Sequence, residues 1–154
     1  MLRDNKGKST YFLGNPVLLC DLLDSSTEQV AAELDRLSRN KGYRAGEMVF
    51  RRGDRCDGVY VLRSGEAALL IHAGFGRVLE RRAITGEIFG LPEAFDEGAY
   101  ETSLKTLTDC VFGSIRSGDL SSFLSANRRV CFRMLRLLGS NLHHGQGLVS
   151  SLKC

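Results

Sequence analysis

Residues 86 to 103 read GEIFGLPEAFDEGAYETS. Gly86, Gly90 and Gly98 bracket short apolar steps, and Thr102 and Ser103 close the run. Glycines and hydroxyls ahead of a strand often build a loop whose backbone N–H groups hold an anion. No Arg or Lys lies between Gly86 and Ser103, so no cation from the loop itself can complete such a site. The shape suits a phosphate and the charge does not.

Other chemistries are poorly supplied. Of the three His, His72 lies in a strand-rich region, while His143 and His144 are adjacent in a helical one. Adjacent helix residues point about 100° apart and do not easily chelate one ion. A catalytic metal held by several inward His and carboxylates of a β-barrel, the enzyme-class alternative, therefore lacks ligands. The five cysteines are Cys20, Cys56, Cys110, Cys131 and Cys154, with no CxxC pair to mark zinc, an iron–sulfur cluster or a redox couple. Cys131 reads as a small hydrophobe. Neither Cys131 nor His72 belongs to a motif that demands haem. No Ser–His–Asp order or nucleophile elbow stands out, so no enzyme, no cofactor and no metal site is expected.

The elements that must position the loop follow from pattern. A chain of 154 residues suits one domain, and 17 Gly against 2 Pro favour a turn-rich β structure. The tail, 1–14, is polar and aperiodic at its start. Ser25 or Ser26 is placed to cap a helix through about Ser38, with Val30, Leu34 and Leu37 at helical spacing. From Tyr43 the period changes. Short apolar runs alternate with Gly53-Asp54, Arg63-Ser64-Gly65 and Ala73-Gly74-Phe75-Gly76 turns, which predicts a sandwich, barrel or jelly roll. Its core should include Val61, Leu69, Ile71, Leu79, Ile84, Leu104 and Val111.

Helical pattern returns with Ser117 as a cap for one short helix and Asn127 for a longer one. Cys131, Leu135, Leu138, Leu142, Gly145, Val149 and Leu152 recur at spacings of 4, 3, 4, 3, 4 and 3. That heptad seam predicts a homodimer of parallel helices. Residues 126 to 154 carry five basic residues and no acid, which reads as a solvated basic face more readily than as a nucleic-acid contact. No apolar run is long enough to span a bilayer and no secretory segment is seen, so a cytoplasmic, membrane-free setting is expected.

Residues 43–70, YRAGEMVFRRGDRCDGVYVLRSGEAALL, resemble the opening of a cyclic-nucleotide-binding domain of the Crp/Fnr regulator family. The shared steps are Ala45-Gly46-Glu47, Phe50, Gly53-Asp54, Tyr60-Val61 and Ser64-Gly65. GEIFGLPEAF resembles the family's phosphate-binding cassette, and the chain from Val130 onward its dimerisation helix. The resemblance covers roughly residues 15 to 150. It implies a double-stranded β-helix, mainly β with flanking helices, over 15–126, and a long C-terminal dimerisation helix over 127–154. It also implies a small-molecule effector that controls a DNA-binding helix-turn-helix.

Two departures follow. Family members that bind cyclic nucleotides carry a Glu for the ribose hydroxyl and an Arg for the phosphate. Without gaps these fall on Leu91 and Glu101, while Thr102 keeps the hydroxyl and Glu93 stands two residues late. The candidate pocket is therefore Phe89, Gly90, Leu91, Glu93, Glu101, Thr102 and Ser103, with His143 and Gln146 from the helix. Its effector is unknown and is not expected to be cyclic AMP or cyclic GMP. Moreover, no helix-turn-helix is read before Cys154, so the chain is expected to be a fragment of a longer regulator, the other reading being a natural stand-alone domain. The alternatives are a true cyclic-nucleotide binder with a variant cassette, and a module that only dimerises.

Overall fold

The structure, a computed structural model, describes residues 16–23, 28–96 and 98–141. A short helix α1 (Leu19–Leu22) and α2 (Glu28–Leu37) precede the strands. The strands are β1 (Arg39–Tyr43), β2 (Met48–Phe50), β3 (Gly58–Ser64), β4 (Ala67–His72), β5 (Val78–Arg82), β6 (Ile88–Phe89), β7 (Thr102–Thr106) and β8 (Cys110–Arg116). Helix α3 (Leu91–Asp96) lies between β6 and β7, and α4 (Ser117–Ala126) and α5 (Arg128–Asn141) close the described chain. The tail over 1–14, the Ser25–Ser26 cap, and the positions Leu142, His143, Gly145, Gln146, Val149 and Leu152 lie outside the described residues. Among the described residues no helix is long and apolar enough to cross a membrane.

The strands form two four-stranded antiparallel sheets, ordered β1-β8-β3-β6 and β2-β7-β4-β5. β4 and β5 form a hairpin within one sheet, and the other connections between consecutive strands cross from one sheet to the other, in keeping with the β-roll expected from the turn spacing. The chain crosses from β3 to β4 at Gly65, where φ is +94° and a Cβ would collide with the Asp109 carbonyl oxygen. Only glycine fits there. Phe112 is fully buried at the centre, edge-on to Tyr43 at 5.6 Å and to Phe89 at 6.4 Å between ring centroids.

Of the seven predicted core positions, Val61, Ile71 and Leu104 are buried and Leu69, Leu79 and Val111 are half-buried. Ile84 is a correction: it is 46% exposed, because β5 ends at Arg82 and Ile84 falls in the turn beyond it. Val111 lies on the opposite face of β8 from buried Phe112.

The helix caps differ from expectation too. Ser117 is the first residue of α4, and its side chain makes no cap hydrogen bond. The Asn127 amide donates to the Phe123 carbonyl at 2.8 Å, so its side chain closes α4 and does not open α5.

The largest correction concerns the seam. Val130, Cys131, Met134 and Leu138 are all at most 3% exposed within the single chain. Their spacing forms one stripe, which α5 lays against α4 and α1. Cys131 and Leu138 therefore belong to the domain's own core. Leu135 is half-buried and Phe132 is 59% exposed, so the outward face of α5 is rotated from the predicted seam.

Candidate ligand-binding cassette

The loop from Gly86 to Ser103 is anchored first by a buried ion pair. Glu87 is 2% exposed, and Arg81 grips it in two places, at 2.6 Å and 3.2 Å. The Ile84 N–H also donates to Glu87 Oε1 at 3.1 Å. Backbone bonds from Gly86 N to Leu62 O and from Leu62 N to Glu87 O then lay β6 beside β3.

Next comes the turn. Gly90 has φ +91°, and a Cβ on it would stand 3.0 Å from Tyr100 Cε1 and 3.2 Å from the Gly58 oxygen. The chain can enter α3 only because that volume is empty. Tyr100 is the wedge that sets it. Its ring stacks on Phe50 at 3.9 Å, and its hydroxyl donates to the Gly58 carbonyl at 2.8 Å. Burial pushes its hydroxyl far above the ordinary tyrosine range, so it stays a donor. Tyr60, 5.7 Å from Phe50, is pushed up to about 12 by burial first and neighbouring charges second.

The far side of the loop is pinned to residues 53–57. Gly53 N donates to Tyr100 O, Tyr100 N to Asp54 O and Cys56 N to Gly98 O, at 2.9 to 3.0 Å. Glu93, half-buried on α3, accepts the Glu101 N–H at 3.2 Å. Burial raises the Glu93 carboxyl above its ordinary range; the charges of Glu101 and Asp96 push the same way, and the N–H groups of Glu93 and Glu101 push back.

The candidate positions divide accordingly. Phe89 and Leu91 are core side chains, 4% and 2% exposed, so neither presents its side chain to a ligand, contrary to the predicted pocket. Leu91 is turned inward because α3 needs an apolar anchor beside Ala94. Glu93 and Glu101 are joined by a hydrogen bond. Thr102 is half-buried, and Ser103 is buried with its Oγ accepting the Arg52 N–H at 2.9 Å. His143 and Gln146 are outside the described residues.

The loop itself brings no cation, but a neighbouring turn does. Arg51 and Arg52, on the turn after β2, line an open basin of about 720 Å³ with His72, Tyr100, Glu101 and Ser103. The signal was the Arg51-Arg52 pair before Gly53, but only the β2–β7 pairing brings it beside Ser103.

Comparisons with known proteins agree with this geometry. The family model for the cyclic nucleotide-binding domain matches residues 40–127. Patatin-like phospholipase domain-containing protein 7 of Mus musculus is 26% identical over 99 residues, which is 64% of this chain and 7% of that protein's length. Among solved structures, the Thermus thermophilus Catabolite Activator Protein superposes with a TM-score of 0.75 at 20% identity, over 86% of this chain and 62% of that one. The sensor domain of the transcriptional regulator DNR from Pseudomonas aeruginosa gives 0.69 at 19% identity, over 82% and 86%. The N-terminal domain of a transcriptional regulator from Streptomyces coelicolor A3(2) gives 0.67 at 23% identity, over 82% and 91%. These likenesses are of fold. With the family model covering more than half of the residues, the chain belongs to the cyclic nucleotide-binding domain family.

Proposed function

We propose that this domain is the ligand-sensing part of a Crp/Fnr-type transcription regulator, that it controls DNA binding by a separate module, and that its effector is not cyclic AMP or cyclic GMP. The carrying observation is the cassette's charge. Aligned without gaps, the buried Leu91 falls where a ribose-binding Glu is expected, and the exposed Glu101 where a phosphate-binding Arg is expected. A charged hydrogen bond contributes roughly 1.5–3 kcal/mol, and like-charge repulsion adds to the loss. Isothermal titration should show no binding of either cyclic nucleotide at micromolar concentrations.

Leu91→Glu would bury a carboxylate in the core, so the sharper variant is Glu101→Arg alone. It should gain cyclic AMP affinity, because Gly90 and the backbone around it already have the cassette's shape. Micromolar binding by the wild type would overturn the reading.

One observation favours a second reading. Arg51 and Arg52 share a basin with Glu101 and Ser103 and form no ion pair with described residues. They favour a variant cassette that takes the phosphate at its outer end. In that case Arg51→Ala with Arg52→Ala would abolish binding. The expected assembly is a homodimer along α5. Phe132 and Leu135 are the described side chains best placed for it, and Phe132→Glu with Leu135→Glu should give monomer on sedimentation.

A further inference from the structure

A second cleft lies away from the basin, where the cassette meets the C-terminal helices. It encloses about 620 Å³ between α3, the first turn of α4 and residues 55–57. Small-molecule sites commonly have about this volume, roughly 300–1,000 Å³. Its floor is apolar, from half-buried Phe95 and buried Leu120. Its polar lining carries one charge of each sign, Arg55 and Asp57, together with the hydroxyls of Ser117 and Ser121.

Three of these groups have unmet capacity. Ser117 Oγ is buried and has no hydrogen-bond partner among the described residues. Arg55 forms no ion pair among the described residues. The ten-residue helix α4 starts here with no side-chain cap. The Ser117 N–H is used, donating to the Asp57 carbonyl at 3.0 Å, but the N–H groups that follow in the first turn have no intrahelical acceptor. All three line the same cleft, and each offers hydrogen-bond donors of the kind a carboxylate accepts.

Asp57 decides what else the ligand carries. Its carboxylate disfavours a dianion such as phosphate, and Arg55 disfavours a metal cation. A molecule bearing one carboxylate and one ammonium satisfies both walls, and an apolar body suits Phe95 and Leu120.

We propose that this cleft is a second ligand site, which takes a free amino acid with an apolar side chain. The carboxylate lies against Arg55 and the start of α4, the ammonium against Asp57, and the side chain on the apolar floor. Such a ligand would bridge α3, the 55–57 segment and α4. The site stands whether or not the cassette's own face binds anything.

The test is a titration of the isotope-labelled chain followed by amide chemical shifts, with four probes: phenylalanine, 3-phenylpropanoate, 2-phenylethylamine and inorganic phosphate. Phenylalanine should shift the amides of Cys56, Asp57 and residues 117–120 saturably. The two half-ligands and phosphate should each bind at least about tenfold more weakly, since each loses a charged contact. Arg55→Ala and Asp57→Asn replace exposed side chains, and each should weaken phenylalanine by about the same factor. Phosphate or 3-phenylpropanoate binding as tightly as phenylalanine would overturn the proposal. So would the absence of saturable shifts with any probe, or wild-type affinity in Arg55→Ala. Shifts confined to residues 101–103 would report the cassette basin and also count against this site.

Discussion

The two ends of the cassette are held in opposite ways. At the entry, Glu87 is buried and its charge is met by Arg81 in two hydrogen bonds. At the exit, Glu93 is half-buried beside Glu101 and Asp96, and a backbone N–H is the partner that reaches it. The entry is neutralised from within. At the exit no ion pair reaches Glu93 among the described residues, and the cations that share the open basin with Glu101, Arg51 and Arg52, come from another turn. The loop's shape is thus held by contacts within the domain.

The entry should be the more fragile end. Arg81→Ala strands a carboxylate that is 2% exposed, and breaking a buried pair in this way costs about 3–5 kcal/mol. Arg81→Met with Glu87→Leu removes both charges and should recover most of that loss. Urea unfolding of the three proteins checks it. A single variant within about 1 kcal/mol of wild type would mean that the pair is solvated, and the contrast between the two ends would disappear.

A smaller effect is expected at the turn between the two ends. Gly90→Ala combines a left-handed backbone with a Cβ 3.0 Å from the Tyr100 ring, and should cost roughly 1–3 kcal/mol. Gly46 has a similar φ of +86° but nothing within 4 Å of a Cβ, so Gly46→Ala isolates the backbone part, roughly 1 kcal/mol. Equal losses by thermal unfolding would show that Tyr100 yields and is not a wedge.

Much of the fold was readable because it depends on local signals. Gly53-Asp54 and Ser64-Gly65 mark turns, and apolar runs between them mark strands. The limit came where partners are far apart in sequence. Nothing in the string joins Arg52 to Ser103 or Tyr100 to Gly58; sheet pairing and loop closure do. The described part of the α5 seam, Cys131 and Leu138, departs from the expectation for a different reason. Periodicity shows that a helix has an apolar face but not which neighbour covers it. Val130 and Met134, outside the heptad, are as buried as Cys131 and Leu138. In the cassette, the expectation of missing charges at Leu91 and Glu101 came from the family resemblance, aligned without gaps. That Leu91 is a core anchor was not legible in the sequence.

The smallest effect, and the one most diagnostic of the exit, is its response to pH. Glu93 has a carboxyl raised above its ordinary value, chiefly by burial. The folded state therefore holds that proton more tightly than the unfolded chain. Between the unfolded and the folded pKa the native state binds more protons, so stability falls as pH rises through that window. Below the ordinary carboxylate value both states are protonated and the effect vanishes. Glu93→Gln keeps an oxygen to accept the Glu101 N–H and removes the charge. It should raise Tm modestly near neutral pH, and the gain should shrink to nothing at about pH 4. The opposite sign, a Glu93→Gln protein less stable at neutral pH than at low pH relative to wild type, would mean that a cation reaches Glu93 in solution. The exit would then be compensated like the entry, and the charge argument against a phosphate would lose one of its two carboxylates.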